Sequence, residues 1–269
     1  MGGSCRPRYK PGSIAGAKIG RMSPRLAFAL ETARSAAQGT LRHFQRGVQF
    51  EIKADESPVT VADREAERTI RTAIEATFPG EAILGEEQGG SDAPDRWVID
   101  PIDGTKSFIA GVPLYATLLS YEQDGEPVLG VCAIPALGEV VYAEKGGGCY
   151  LNGGACGVSD QTDLSRAIVA CGGHSSMNRA GRMGSFLSLA DTVMATRSWT
   201  DAYGHMLVAT GRIEAMLDPV VNHWDISAVA VIVREAGGSF SDFAGRDVLS
   251  NEAVSCSPGV RDAVLGAFA

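Results

Sequence analysis

Residues 97–105 read Trp97-Val98-Ile99-Asp100-Pro101-Ile102-Asp103-Gly104-Thr105. Three large apolar residues in a row predict a buried strand, and that strand runs directly into two acids. Pro101 fixes φ and carries no N–H. The chain is therefore expected to turn here, so that the carboxylates of Asp100 and Asp103 face one point. Two carboxylates held that close repel unless they are protonated or bridged by a cation. Oxygen ligands without Cys or His select a hard ion such as Mg²⁺. Gly104-Thr105 then offers backbone N–H groups where a helix starting at Thr105 would form a phosphate cradle.

Moving outward, further acids stand at the ends of elements. Ala82 to Leu84 is a short strand that stops at Gly85-Glu86-Glu87, and Trp224-Asp225 opens a helix running to Glu235. Strand ends are where layered α/β folds place their sites. Upstream, Ser23-Pro24 reads as N-cap and N1 of a helix through about Gln45. Thr60 caps a second helix, Val61 to about Phe78, with Asp63 in its first turn. Lys53 falls in the loop between the two. Downstream, the segments 114–122, 127–134, 139–144 and 149–151 are separated by turn residues, and Asn152-Gly153 is a hairpin signal. This half, 22–160, is an α+β pattern of helices followed by an antiparallel meander. The second half, 161–269, alternates strand and helix as α/β units do: strand 167–170, helix 178–189, strand 192–197, helix 202–210, strand 213–217, helix 224–235 and strand 239–242.

Composition sets outer bounds. The 269 residues are 45% hydrophobic and 21% charged, ordinary for a globular chain and wrong for a disordered, collagen-like or coiled-coil one. The formal net charge is −8. Residues 1–21 carry five basic residues and no acid, and read as a disordered arm. The remaining chain holds 19 basic and 32 acidic residues, a charge of −13. An acidic body argues against nucleic-acid or anionic-membrane binding and sits oddly with an anionic substrate unless a cation intervenes. Six cysteines without a Cys-x-x-Cys pair read as free thiols in a reducing cytoplasm, and no apolar run reaches the length of a membrane span.

Gly85-Glu86-Glu87, the stretch 97–105 and Trp224-Asp225 together resemble the three signatures of the inositol monophosphatase-like family of Mg²⁺-dependent phosphatases. The resemblance covers residues 24–269. It implies a layered α-β-α-β-α sandwich, a homodimer, and hydrolysis of small phosphate monoesters by water activated at two or three Mg²⁺ ions. By the same resemblance Glu86, Asp100 and the carbonyl of Ile102 would hold a first ion, and Asp100, Asp103 and Asp225 a second. Thr105 paired with Asp63 would orient the attacking water, with Glu86 assisting. Lys53 sits where the family has a mobile-loop lysine, and Glu87 is a weaker ligand candidate.

The segment Lys106-Ser107-Phe108-Ile109-Ala110-Gly111-Val112-Pro113-Leu114-Tyr115 resembles the histidinol-phosphate phosphatases of this superfamily, as do Asp201-Ala202-Tyr203-Gly204 and Met216-Leu217-Asp218-Pro219. Histidinol phosphate carries an amine and an imidazole. Acidic pocket residues such as Asp201 and Asp218, beside a phosphate site at Asp103, Gly104 and Thr105, make electrostatic sense for it. Asp201 equally reads as the cap of the helix starting near Ala202. Inositol 1-phosphate, or another small sugar or nucleotide phosphate, is the alternative substrate. An RNA- or transcription-associated binding role, using the basic arm, is the alternative of another class.

Overall fold

A computed structural model describes residues 22–54 and 56–269. The basic stretch 1–21 lies outside the described residues. Helix α1 (Pro24–Thr40) starts where Ser23 Oγ accepts the N–H of Leu26, and it buries Leu26, Ala29, Leu30, Ala33, Ala36 and Ala37. It ends at Thr40, short of the expected Gln45. The Thr40 hydroxyl bonds back to the Ala37 carbonyl and reaches the Tyr115 hydroxyl, and the chain leaves in a turn with Gln45 and Gly47 at positive φ. A Thr that bonds its own turn competes with helix propagation.

The loop carrying Lys53 is in fact a small antiparallel pair, β1 (Phe50–Ile52) and β2 (Pro58–Thr60). Three-residue strands are too short to show an alternation signal. Helix α2 (Val61–Thr77) follows, closed by a capping box between Thr60 and Asp63. Then come β3 (Ala82–Gly85), β4 (Gly89–Gly90) and β5 (Arg96–Asp103). The expected strand ended at Asp100, but β5 continues through Asp103. Its pairing with the next long strand shifts register between Asp100 and Asp103, which tolerates Pro101 because a bulge needs no ladder N–H there. Helix α3 (Thr105–Ile109) begins at the expected residue, with Gly104 as its N-cap at φ +83°.

Strands β6 (Ala116–Gln123), β7 (Glu126–Ile134), β8 (Glu139–Glu144), β9 (Gly148–Leu151) and β10 (Gly154–Cys156) complete an eight-stranded sheet. Its order is β10-β9-β8-β7-β6-β5-β3-β4, and among these pairs only β3 and β5 run parallel.

The rest of the chain supplies β11 (Ile168–Cys171), α4 (His174–Arg179), α5 (Met183–Ala190), β12 (Ala195–Arg197), α6 (Asp201–Ala209), β13 (Ala215–Asp218), α7 (His223–Glu235), β14 (Ser239–Ser241), β15 (Ala253–Cys256) and α8 (Arg261–Gly266). The expected helix 178–189 is two helices, broken at Gly181, which sits at φ +69°. The second sheet, β12-β11-β13-β15-β14, is mixed and not an all-parallel α/β sheet. β11 pairs parallel with β12 and β13, and β15 pairs antiparallel with β13 and β14. The returning strand β15 was not legible as a strand.

The layers follow from what each face buries. One face of the large sheet takes α1 and α2, through Ile70, Ile74, Trp97, Leu119 and Val131 among others. Its other face takes α6 and α7, through Leu118, Cys132, Met206, Val229 and Ile232. The second sheet lies beyond α6, joined through Ala170, Val208 and Met216, and it is covered on its far side by α4, α5 and α8 through Met177, Phe186, Leu189 and Val264. The result is an α-β-α-β-α sandwich. The cysteines among the described residues are free thiols, and no described helix is long and apolar enough to cross a membrane.

Candidate active site

Asp100 and Asp103 leave the end of β5, and Asp225 lies in the first turn of α7. Each offers a carboxylate oxygen, and the three oxygens lie within 4.8 Å of one another. The bulge makes the first pair meet. In a regular strand, residues three apart point to opposite faces. The extra residue between Asp100 and Asp103 puts both carboxylates on one side, while the Pro101 carbonyl is held by the Thr117 hydroxyl at 2.8 Å. Asp225 is aimed by its own cap: Oδ2 accepts the N–H of Asn222 at 2.7 Å.

Glu86 enters because β3 runs parallel to β5, which sets their C-terminal ends side by side. Its N–H bonds the Ile99 carbonyl at 3.1 Å. The Glu86 side chain lies outside the three-carboxylate group, meeting Lys53 Nζ at 2.7 Å, with its charge close enough to raise the pKa of Asp100. Lys53 also bonds Glu87 Oε1 at 3.0 Å, so Lys53 and Glu87 are brought to the rim together. The Ile102 carbonyl faces Thr105, whose Oγ1 donates to it at 3.0 Å and to Asp63 Oδ1 at 3.2 Å. Asp63 is fully buried, and its other oxygen accepts the N–H of Thr60 at 2.8 Å and the Thr60 hydroxyl.

The second half of the chain adds two acids, Asp201 at the start of α6 and Asp218 at the end of β13. Asp201 stands at φ +61° and takes the Thr200 hydroxyl at 2.8 Å. Its side chain does not cap α6. The oxygen that meets the Ala202 N–H is Asp103 Oδ2, at 2.5 Å. The capping reading of Asp201 is thus replaced by a contact between the halves of the molecule. Asp201 Oδ2 lies 3.0 Å from where a Cβ on Gly104 would be, so a side chain there would crowd it. Asp218 is buried at the end of β13. His205 is a packing residue, bonded to Ser255 at 2.7 Å, and burial depresses its pKa to about 3.

Two further acids had no obvious signal. Glu67 is buried under the Glu86–Gln88 loop. Glu122 is buried between β6 and α7, where it takes Arg96 Nε at 2.8 Å, the Ser227 hydroxyl at 2.7 Å and His223 Nε2 at 2.6 Å. In sequence each reads as one more polar residue of a helix or a strand.

The electrostatics test whether a cation fits. Burial, then Glu86, Asp103 and Asp225, push the Asp100 carboxyl well above its usual range. Burial, then Asp201 and Asp225, do the same to Asp103. Burial raises Asp225 to about 6, and burial with Glu86 raises Glu87 to about 7. Asp100 Oδ1 is buried without a hydrogen-bond partner. An orphaned buried oxygen amid crowded acids fits a hard divalent cation bound by oxygen ligands.

This arrangement has a consequence for stability. A carboxyl whose pKa is raised by folding contributes stability that is present below its ordinary pKa and lost as pH rises through the raised value. In chelator, the melting temperature is therefore expected to fall as pH goes from about 5 to about 8, the window set by about 6 for Asp225 and about 7 for Glu87. Mg²⁺ added at the upper end should restore it. Circular-dichroism melts check this, and a flat or rising profile in chelator would contradict it.

Residues 21–267 match a family described as the inositol monophosphatase family. A histidinol-phosphatase of Chlorobaculum parvum is 43% identical over 228 residues, 84% of this chain and 88% of that protein. An inositol-1-monophosphatase of Mesorhizobium japonicum is 34% identical over 238 residues, 84% of this chain and 88% of that protein. A solved Thermotoga maritima IMPase superposes with a TM-score of 0.86 at 31% identity, covering 91% of this chain and 96% of that one.

Proposed function

The chain belongs to the inositol monophosphatase family and is a phosphomonoester hydrolase; from that premise we propose that it dephosphorylates L-histidinol phosphate to L-histidinol with Mg²⁺. The observation that carries the substrate is the 43% identity to a histidinol-phosphatase across most of both chains. The second acidic pair supports it. Asp201 and Asp218 stand beside the Asp103-Gly104 end of the site, each raising the energy of further negative charge there, and such a wall favours a substrate whose alcohol half carries an amine.

In this reading Asp100, Asp103, Asp225, Glu86 and the Ile102 carbonyl hold the cations, with Glu87 at the edge. Bound Mg²⁺ would supply Lewis-acid charge that acidifies a water and neutralises phosphoryl oxygens. The chain's own residues do the rest. Gly104 and Thr105 receive the phosphoryl group where α3 begins. The Thr105 hydroxyl orients the attacking water and relays its proton toward Asp63. Burial raises the pKa of Asp63 against the pull of the two Thr60 donors, which makes it a better proton acceptor than an ordinary aspartate. Lys53 balances the charge of Glu86 and Glu87. Residues 22–160 and 161–269 act as two halves of one catalytic unit, and the Asp103 to Ala202 contact ties them at the site. We take the working form to be a cytoplasmic homodimer.

A phosphate-release panel tests the assignment. With Mg²⁺, kcat/KM for histidinol phosphate is expected to exceed that for inositol 1-phosphate by at least about tenfold, or 1.4 kcal/mol in the transition state. Asp201→Asn should narrow the gap. The reverse preference would favour inositol 1-phosphate, the substrate class in the Mesorhizobium relative's name, and leave the chemistry standing.

A further inference from the structure

Glu67 has no part in the chemistry above, yet it is fully buried and points at the loop that carries Glu86. Its Oε2 accepts the N–H of Glu87 at 2.8 Å, and its Oε1 accepts that of Gln88 at 3.2 Å. Arg71, one turn further along α2, donates from Nε to Glu67 Oε1 at 2.7 Å and from its other arm to the Gly89 carbonyl. The loop is therefore gripped at 87, 88 and 89 from α2 and at Glu86 N–H from β5. Gly85 completes the fit: a Cβ there would stand 2.3 Å from Glu67 Oε1. The carboxylate can reach the loop only because residue 85 has no side chain.

We propose that Glu67 is a positioning residue for the cation site, holding the 86–89 loop so that the Glu86 carboxylate is set against Asp100 before a cation arrives. This rests on Glu86 being a ligand. The physical case is preorganisation. A surface loop between two strands otherwise samples many conformations, and a ligand carried on it must be ordered at the expense of binding. Hydrogen bonds to a charged acceptor are the strong kind, and two of them fall on consecutive N–H groups directly after Glu86. Arg71 sits beside Glu67 and neutralises it, so Glu67 acts on the site through geometry and adds little field of its own.

Two variants separate geometry from charge. Glu67→Gln removes the charged acceptor and leaves Arg71 with the Gly89 carbonyl but without its neutralising carboxylate. Gly85→Ala keeps both charges and displaces the carboxylate. Isothermal titration with Mg²⁺ on the full chain is expected to show binding about 10–100-fold weaker for both, the range seen when the outer partners of metal ligands are removed. The Mg²⁺ concentration for half-maximal phosphatase rate should move in parallel. Ile70→Val, a core change one turn along the same helix, is the stability control: it should lower the melting temperature and leave Mg²⁺ affinity alone. The inference is overturned if Gly85→Ala binds Mg²⁺ like the wild type, or if Ile70→Val weakens binding as much as Glu67→Gln does. Wild-type protein that binds no Mg²⁺ would overturn the cation reading itself, a distinct result.

Discussion

Asp100→Asn is expected to lower the rate of phosphate release by about 10³–10⁴-fold, corresponding to about 4–5.5 kcal/mol of lost transition-state stabilisation, while leaving the fold intact or more stable in chelator. The two effects have opposite signs for one reason. Asp100 is 1% exposed, has an oxygen with no partner in the protein and is pressed by burial and by Glu86, Asp103 and Asp225. That position is unfavourable for a carboxylate by itself and favourable only with a divalent cation. An amide of the same shape relieves the repulsion and weakens the cation site that the phosphoryl group needs. Paired measurements decide the matter: kcat/KM with Mg²⁺, and melting temperature in chelator at pH near 8. A variant that is inactive because it is unfolded, or stable and fully active, would remove Asp100 from the centre of the site.

Thr105→Val is expected to lower kcat by about 10²-fold or more, the usual scale for a group that moves or orients a proton, and Thr105→Ser should restore most of it. Valine keeps the branched shape and deletes only the hydroxyl, which spans the Ile102 carbonyl at 3.0 Å and Asp63 at 3.2 Å. Asp63 keeps its bonds to Thr60, so the capping box of α2 survives and the melting temperature should change little. Mg²⁺ affinity should also hold, since no proposed ligand is touched except through the Ile102 carbonyl. A kcat within a factor of about three of wild type, far below the usual catalytic contribution, would show that the water is oriented by something else.

Much of this architecture was legible locally. Ser23-Pro24 and Thr60 with Asp63 marked helix starts that the structure keeps, because a cap needs only its own turn. Asn152-Gly153 marked a hairpin because left-handed backbone at both residues, φ +49° and +86°, is written in their chemistry. The long strands β6, β7 and β8 were legible from their apolar runs. What failed was short or depended on distant partners. β1, β2 and β15 have three or four residues each and exist by pairing. The helix across Gly181 broke on one residue whose φ the periodicity could not report.

The sequence by itself determined the inventory: which acids stand at element ends, which ion chemistry oxygen ligands select, and which family signatures they spell. These are properties of residue type and near-neighbour order. Tertiary structure alone decided how those acids meet. A bulge in β5 turns Asp103 to the side of Asp100, α7 brings Asp225 across from the other half of the chain, and Asp103 rather than Asp201 meets the start of α6. Glu67 was one more polar residue of α2 until folding buried it under the Glu86 loop. Burial converts an acid into a site because only in a low-dielectric interior do neighbouring charges, orphaned oxygens and a missing Cβ carry energies large enough to choose one arrangement.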